Sequence, residues 1–220
     1  MYDVEKKKLL DITLQMLSND LVIGSSGNAS IRAGEHVLIT PSSINYDSMG
    51  VEDIVLLDMD ESVIEGHRTP SVESPTHLAV YRERKDAKAI VHSHSVYATA
   101  FALLDRSLPN IIDEVVPKLG GEIRLAKYAM PGTDELAENV VTALEDRNAV
   151  FMKNHGALCI GKDIDEALHF AILLERTCKT FLLALQAVTT MSPTVLPEEA
   201  VEVGKSLWEF KRMSRMGQEE

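Results

Sequence analysis

The chain has 220 residues, 45% hydrophobic and 25% charged, an ordinary balance for a folded domain and too apolar for a largely disordered one. With 22 Lys and Arg against 34 Asp and Glu the formal charge is −12, which repels phosphate backbones and excludes nucleic acid as the default partner. Only two cysteines, Cys159 and Cys178, exclude a secreted disulfide scaffold and fit a reducing cytoplasm.

The lysines near the N-terminus precede no long apolar run, so neither a signal peptide nor a membrane span is expected. Residues 3–18 place Leu10, Leu14 and Leu17 at helical spacing, and Leu9, Ile12 and Met16 widen that face into an amphipathic helix. The run Gly24-Ser25-Ser26-Gly27-Asn28 predicts a loop flanked by short strands that end at Ile39-Thr40. Residues 40–50 are a second, hydroxyl-rich loop. Residues 51–68 read as strand, turn and strand. A loop then enters a helix from about Pro75, since proline is tolerated in a first turn. Residues 87–94 are β-branched and predict a buried strand, with a helix after them through 104. Residues 114–133 alternate strands and turns. Thr133 caps a helix, and residues 148–161 form strand, turn and strand. Asp163, with Glu166 three residues on, opens a long helix striped by Ala167, Leu168, Ala171, Leu174, Cys178, Phe181 and Leu185. A linker with prolines (189–197) precedes a last helix near Glu198–Met213, whose Trp208 and Phe210 form an apolar pair that needs a surface to bury against. Helices and strands interleave, so the class is α/β. The organisation expected is one catalytic domain over 1–190 and a C-terminal helical arm over 191–220.

The chemistry concentrates in a few residues. His92 and His94 sit two apart on a predicted strand, so both imidazoles project from one face and can reach one metal. Seven histidines in 220 residues give on the order of 0.2 such pairs by chance, which makes the pair suggestive and no more. His155, at the end of another strand and before Gly156, offers a third ligand; read alone it is a turn histidine. Glu73, in a loop stiffened by Pro70 and Pro75, suits a fourth ligand or a general base. Read alone it is an acid complementing a helix dipole. The loops 24–30 and 40–43 can aim N–H and O–H donors at a phosphate, although each also fits ordinary turn chemistry. No Walker motif or strand–GxGxxG–helix is present, so no nucleotide cofactor is indicated. Cys159 reads as buried and structural, and His77 as a histidine that hydrogen-bonds locally in a first helical turn.

Five collinear segments carry a family resemblance: GNASIRAGEHVLITPSS, SVESPTHLAVY, AIVHSHSVYATAFALL, YAMPGTDELAENV and FMKNHGALCIGKDIDEAL. Over roughly residues 5–186 the chain resembles the class II aldolase/adducin family, and within it the zinc sugar-phosphate aldolases of the L-fuculose-phosphate type. The resemblance implies a three-layer α/β/α sandwich around a mixed, mostly antiparallel sheet. It implies one Zn2+ per subunit on His92, His94 and His155, with Glu73 as resting ligand or acid/base. Gly27 and Asn28 match a phosphate-binding Gly-Asn, Ser42 and Ser43 a Thr-Gly pair, and Ser71 the first of two serines, the second being Val72 here. Asp113 stands where the family's proton-donating tyrosine from a neighbouring subunit is expected. The implied activity is reversible cleavage of a ketose 1-phosphate to dihydroxyacetone phosphate and an aldehyde, in a cytoplasmic homotetramer with intersubunit sites. Related alternatives are a methylthioribulose-1-phosphate dehydratase, a sugar-phosphate 4-epimerase, whose motif carries Asp at position 73, and a decarboxylase. An adducin-type structural domain lacks the three histidines that are present here. A generic zinc hydrolase would need a water-activating base. The residue types accept zinc, manganese and cobalt alike.

Overall fold

The computed structural model describes residues 1–186 and 193–216, with Arg215 described by its backbone alone. Helix α1 (Asp3–Ser18) buries Leu9, Ile12 and Met16 on the predicted stripe. Strands β1 (Asn28–Ala33) and β2 (His36–Ile39) follow as a hairpin. A 3₁₀ turn (Val51–Asp53) leads to β3 (Val55–Leu57) and β4 (Val63–Glu65). Helix α2 (Ser74–Glu83) begins with Pro75 in its first turn and leads to β5 (Ala89–Ser93) and α3 (Val96–Ala102). Then come α4 (Val116–Leu119), β6 (Arg124–Ala126) and α5 (Asp134–Leu144). Strands β7 (Ala149–Met152) and β8 (Gly156–Gly161) precede the long α6 (Ile164–Gln186) and the last helix α7 (Glu198–Met216).

The eight strands form one sheet in the order β4-β3-β2-β1-β5-β8-β7-β6. Every neighbouring pair is antiparallel except β6–β7, which is parallel. The two-residue period of the strands sorts side chains into two cores. Ala29, Ala89, Val91, Phe151, Ala157 and Cys159 pack with α1, α3 and α6. Ile90, Val150, Met152, Leu158 and Ile160 pack against Leu78 and Tyr81 of α2 and Leu136, Val140 and Leu144 of α5. The result is the expected three-layer α/β/α sandwich. No helix among the described residues is long and apolar enough to cross a membrane.

Helix caps follow the sequence. Thr133 Oγ1 accepts from the Leu136 N–H at 3.2 Å, and Asp163 Oδ1 accepts from the Glu166 N–H at 2.8 Å. Three local expectations change. Residues 116–119, read within an alternation of strands and turns, form a helical turn, with Pro117 at its start and Gly120 closing it at φ +94°. The last helix runs three residues past Met213. Trp208 and Phe210 do not bury together: Trp208 is buried over Gly120, between the guanidinium groups of Arg147 and Arg212, while Phe210 is 70% exposed. Residues two apart on a helix point to nearly opposite sides, so one docked helix cannot cover both. The linker residues Thr189–Ser192, and with them the expected boundary at 190/191, lie outside the described residues.

Candidate metal centre and active site

Three sheet strands and one helix start bring the candidate ligands together. His92 lies on β5 on the same face as Ile90, towards α2, and His94 follows where the strand ends. The His94 N–H donates to the Leu21 carbonyl at 3.0 Å, which holds that turn. Helix α3 begins two residues later, and its first amides are capped from across the core: Glu175 of α6 accepts from the Tyr97 and Ala98 N–H groups at 2.9 and 2.7 Å. His155 sits in the β7–β8 turn, between left-handed Asn154 (φ 59°) and Gly156. Gly156 is required by space: a Cβ there would lie 2.2 Å from the Ser93 carbonyl oxygen and 3.1 Å from the His94 ring. Glu73 occupies the position before α2, but its carboxylate caps no amide and turns instead towards the histidines.

The ligand atoms of Glu73, His92, His94 and His155 all lie within 4.8 Å of one another. The three imidazole rings meet edge to face, with centroids 4.7, 4.8 and 4.8 Å apart. His92 Nδ1–H donates to the Ala157 carbonyl at 3.0 Å, which leaves Nε2 to face the cluster. That nitrogen is 2.8 Å from His94 Nε2 and 3.0 Å from Glu73 Oε2, while His155 Nε2 is 3.5 Å from Glu73 Oε1. Glu73 Oε1 is buried without a hydrogen-bond partner. Three imidazoles and a carboxylate converging with one orphaned oxygen fit a single divalent cation.

The electrostatics agree. Burial would raise the Glu73 carboxyl, but the charge and hydrogen bond of His92, with His155 and Asn28, outweigh it and hold Glu73 below the usual carboxylate range. Burial, then the charge on His92, pulls His94 down to about 3 and His155 to about 4. Burial also works against charge on His92, but the Glu73 carboxylate outweighs it and raises that imidazole. His94 and His155 are therefore neutral near pH 7, the form in which histidine binds metal.

Asn28, Gly27 and Ser71 adjoin the cluster, and Ser42 and Ser43 lie in a loop tied to that of Ser71. Asn28 pairs with His92 across the β1–β5 ladder, and its Nδ2 donates to Glu73 Oε2 at 2.7 Å. Gly27, at φ +67°, rests on the same strand: a Cβ would meet the His92 carbonyl oxygen at 2.6 Å. The Ser42–Ser43 loop is tied to the 69–71 loop by a Pro41–Pro70 bridge, by Ser42 N–H donating to Thr69 O and by Ser71 N–H donating to Thr40 O. Ser71 Oγ accepts from the Glu73 N–H at 3.3 Å. Cys159 faces the opposite core and is no ligand. Asp113 is exposed and is not among the clustered ligands.

One assignment changes. His77 does not bond locally. It is fully buried and reaches β1, with Nδ1 2.7 Å from Ser30 Oγ and Nε2 2.6 Å from Asn28 Oδ1. The signal was in the spacing: Glu73, His77 and Tyr81 are four apart on one face of α2, opposite Asn28 and Ser30, two apart on β1.

Known proteins share this arrangement of sequence and fold. Residues 7–182 match the class II aldolase and adducin N-terminal domain family. The chain is 36% identical to the L-fuculose phosphate aldolase of Escherichia coli (strain K12) over 197 residues, 90% of this chain and 91% of that protein. It is 34% identical to the 5-methylthioribulose-1-phosphate/5-deoxyribulose-1-phosphate aldolase of Rhodospirillum rubrum, over 88% of this chain and 86% of that one. A solved structure of an L-fuculose 1-phosphate aldolase superposes with a TM-score of 0.88 at 35% identity, covering 94% and 96% of the two chains. The match across nearly the whole chain, with the four converging side chains, places the protein in the class II aldolase/adducin family as a metal-dependent aldolase.

Proposed function

We propose that the protein reversibly cleaves a ketose 1-phosphate to dihydroxyacetone phosphate and an aldehyde, with Zn2+ held by His92, His94, His155 and, at rest, Glu73. The observation that carries the reading is the convergence of three imidazoles on a carboxylate that has one oxygen pinned by Asn28 and the other unpartnered. The ion, when bound, supplies Lewis-acid polarisation of the substrate carbonyl. In the condensation direction Glu73 takes the proton from the reacting carbon of dihydroxyacetone phosphate, and in cleavage it returns the proton to that carbon as the bond to the aldehyde carbon breaks. Its ionised resting form suits the first of these steps. Gly27, Asn28, Ser42, Ser43 and Ser71 hold the phosphate. Asn28 Nδ2 has a second hydrogen for it, and the Ser42 and Ser43 hydroxyls are 3.3 Å apart. Val72, 62% exposed, takes the place of a further hydroxyl donor.

Asp113 from a neighbouring subunit is our candidate for handling the aldehyde-side proton, because its exposure apart from its own chain's cluster suits a residue given across an interface. This requires an oligomer, and the family resemblance implies a homotetramer: light scattering at micromolar concentration should give four chain masses, and a monomer would refute it. Both thiols are free and buried, which supports a cytoplasmic setting.

The test of function is product analysis. A panel of ketose 1-phosphates, including fuculose, 5-deoxyribulose and methylthioribulose phosphates, is incubated with enzyme and scored for dihydroxyacetone phosphate. Loss of water without its release would mark a dehydratase. An epimerised sugar with its carbon chain intact would mark an epimerase, and carbon dioxide a decarboxylase.

A further inference from the structure

A buried polar chain runs behind the metal ligands from the middle of α2. Tyr81 OH donates to the Ser30 carbonyl at 3.1 Å and lies 2.8 Å from Ser30 Oγ. Ser30 Oγ is 2.7 Å from His77 Nδ1, His77 Nε2 is 2.6 Å from Asn28 Oδ1, and Asn28 Nδ2 donates to Glu73 Oε2 at 2.7 Å. Asn28 is 4% exposed, and Ser30, His77 and Tyr81 are 0% exposed. Both ring nitrogens of His77 are taken, so it is not a metal ligand.

The chain has one consistent set of directions. An ionised carboxylate only accepts, so Asn28 must present its NH2 to Glu73 and its oxygen to His77. The oxygen needs a donor, so His77 carries its proton on Nε2. Nδ1 then accepts from the Ser30 hydroxyl. A flipped Asn28 would set its carbonyl oxygen against Glu73 Oε2, two acceptors at hydrogen-bond distance. His77 opposes that flip, because its donor would then face an NH2 group.

We propose that His77 is a positioning residue for the aldol reaction: it fixes the Asn28 carboxamide, which pins Glu73 Oε2 and leaves Oε1 as the oxygen that meets the substrate carbon. The proposal rests on the aldolase reading and adds a residue to it. Removing a direct hydrogen-bond partner of a site residue typically costs 10–100-fold in activity or metal affinity, and His77 is such a partner of Asn28.

The test compares His77→Leu, which removes both ring hydrogen bonds, with His77→Gln, whose amide N–H can stand at the Nε2 position. Three readouts are taken: steady-state cleavage, zinc content after dialysis, and the visible spectrum of the cobalt-substituted protein without substrate. In His77→Leu we expect zinc content to hold, kcat to fall roughly 10–100-fold with KM changing less than about threefold, and the cobalt bands to shift as Glu73 loses its anchor. His77→Gln should recover the spectrum and come within about fivefold of wild-type kcat. Wild-type kcat and spectrum in His77→Leu would overturn the proposal, as would His77→Gln failing as badly as His77→Leu. If His77→Leu does not fold, Ser30→Ala, which releases Nδ1 and lets the ring proton move, should lower kcat and shift the cobalt bands in the same direction. No change in either would overturn the proposal. If the wild-type protein releases no dihydroxyacetone phosphate from any ketose phosphate, the aldolase reading fails. The cobalt spectra then decide on His77 alone: a shift in His77→Leu reversed in His77→Gln supports its positioning of Glu73, and identical spectra refute it.

Discussion

Gly156→Ala places one methyl group at the most crowded point of the metal centre. Its Cβ would sit 2.2 Å from the Ser93 carbonyl oxygen, a backbone atom with no rotamer to relieve the clash. Ordinary contact needs about 3.2 Å or more, so β8 and β5 must separate locally by roughly 1 Å where Ser93 pairs with Ala157. That displacement acts between His155 on one side and His92 and His94 on the other. Zinc–nitrogen bonds tolerate only about 0.2 Å around 2.0–2.1 Å, so one ligand is lost or strained. The expected result is zinc affinity weakened about 10–100-fold in chelator competition, and a metal-free protein destabilised by about 1–3 kcal/mol in urea. Gly34→Ala is the control. Gly34 has φ +64° but nothing nearer its Cβ than Tyr2 OH at 3.7 Å, so it should lose about 1 kcal/mol of stability and no zinc affinity. Wild-type zinc affinity and stability in Gly156→Ala would refute the geometric argument.

Four further outcomes are expected. His94→Ala should lose its metal on dialysis, measured by elemental analysis, and stoichiometric metal in it would remove His94 from the ligand set. Glu73→Gln should keep the fold and most of the metal but lose roughly two to four orders of magnitude in turnover and in proton exchange of dihydroxyacetone phosphate in D2O; exchange at the wild-type rate would reduce Glu73 to a ligand. Trp208→Ala should cost about 3 kcal/mol and expose α7 to limited proteolysis, and unchanged protection would show that α7 docks by other contacts. The fourth concerns pH. Burial holds His77 down at about 3 in the folded state against 6.5 unfolded, so the unfolded chain binds the extra proton and stability falls as pH drops from about 6.5 towards 4, by up to about 1.4 kcal/mol per pH unit. In the metal-free protein His94 and His155, also held down, add slopes of the same sign, so His77→Gln should make the dependence of stability on pH shallower by up to about 1.4 kcal/mol per unit without abolishing it; equal slopes in the two proteins would show that His77 does not titrate as buried.

The sequence exposes what short-range periodicity encodes. The His92–His94 pair follows from the two-residue period of a strand, and the Thr133 and Asp163 caps from side chains that can reach amides two or three residues on. Where a residue's partner lies far along the chain, periodicity is silent. His77 looked local because Pro75 and Thr76 precede it, yet its partners are 47 and 49 residues away on β1. Trp208 looked like half of an apolar pair, and its surroundings turned out to be two arginines and a glycine. Residues 116–119 carry helix signals in Pro117 and Gly120, but four residues are too few for a helical period to show. Glu73 is the mixed case. Its position before a helix favours a dipole role by local rules, and only the depth at which β1 and β5 hold Asn28 and His92 turns it inward.

The sheet order has a consequence for how the protein is made. Strand β5 lies between β1 and β8, so the strand bearing His92 finds one neighbour about 60 residues earlier and the other about 65 residues later. Such non-local pairing closes slowly. During synthesis His94 leaves the ribosome 61 residues ahead of His155, an interval of roughly 3–12 s at 5–20 residues per second. Through that interval the emerging chain holds Glu73, His92 and His94 but not the third imidazole, with an unpaired strand edge beside them. The metal site is incomplete, and the open edge is available to other nascent chains. Arrival of β8 closes the edge and supplies the third imidazole in one event, so metal capture and protection from aggregation should rise together in time-resolved translation.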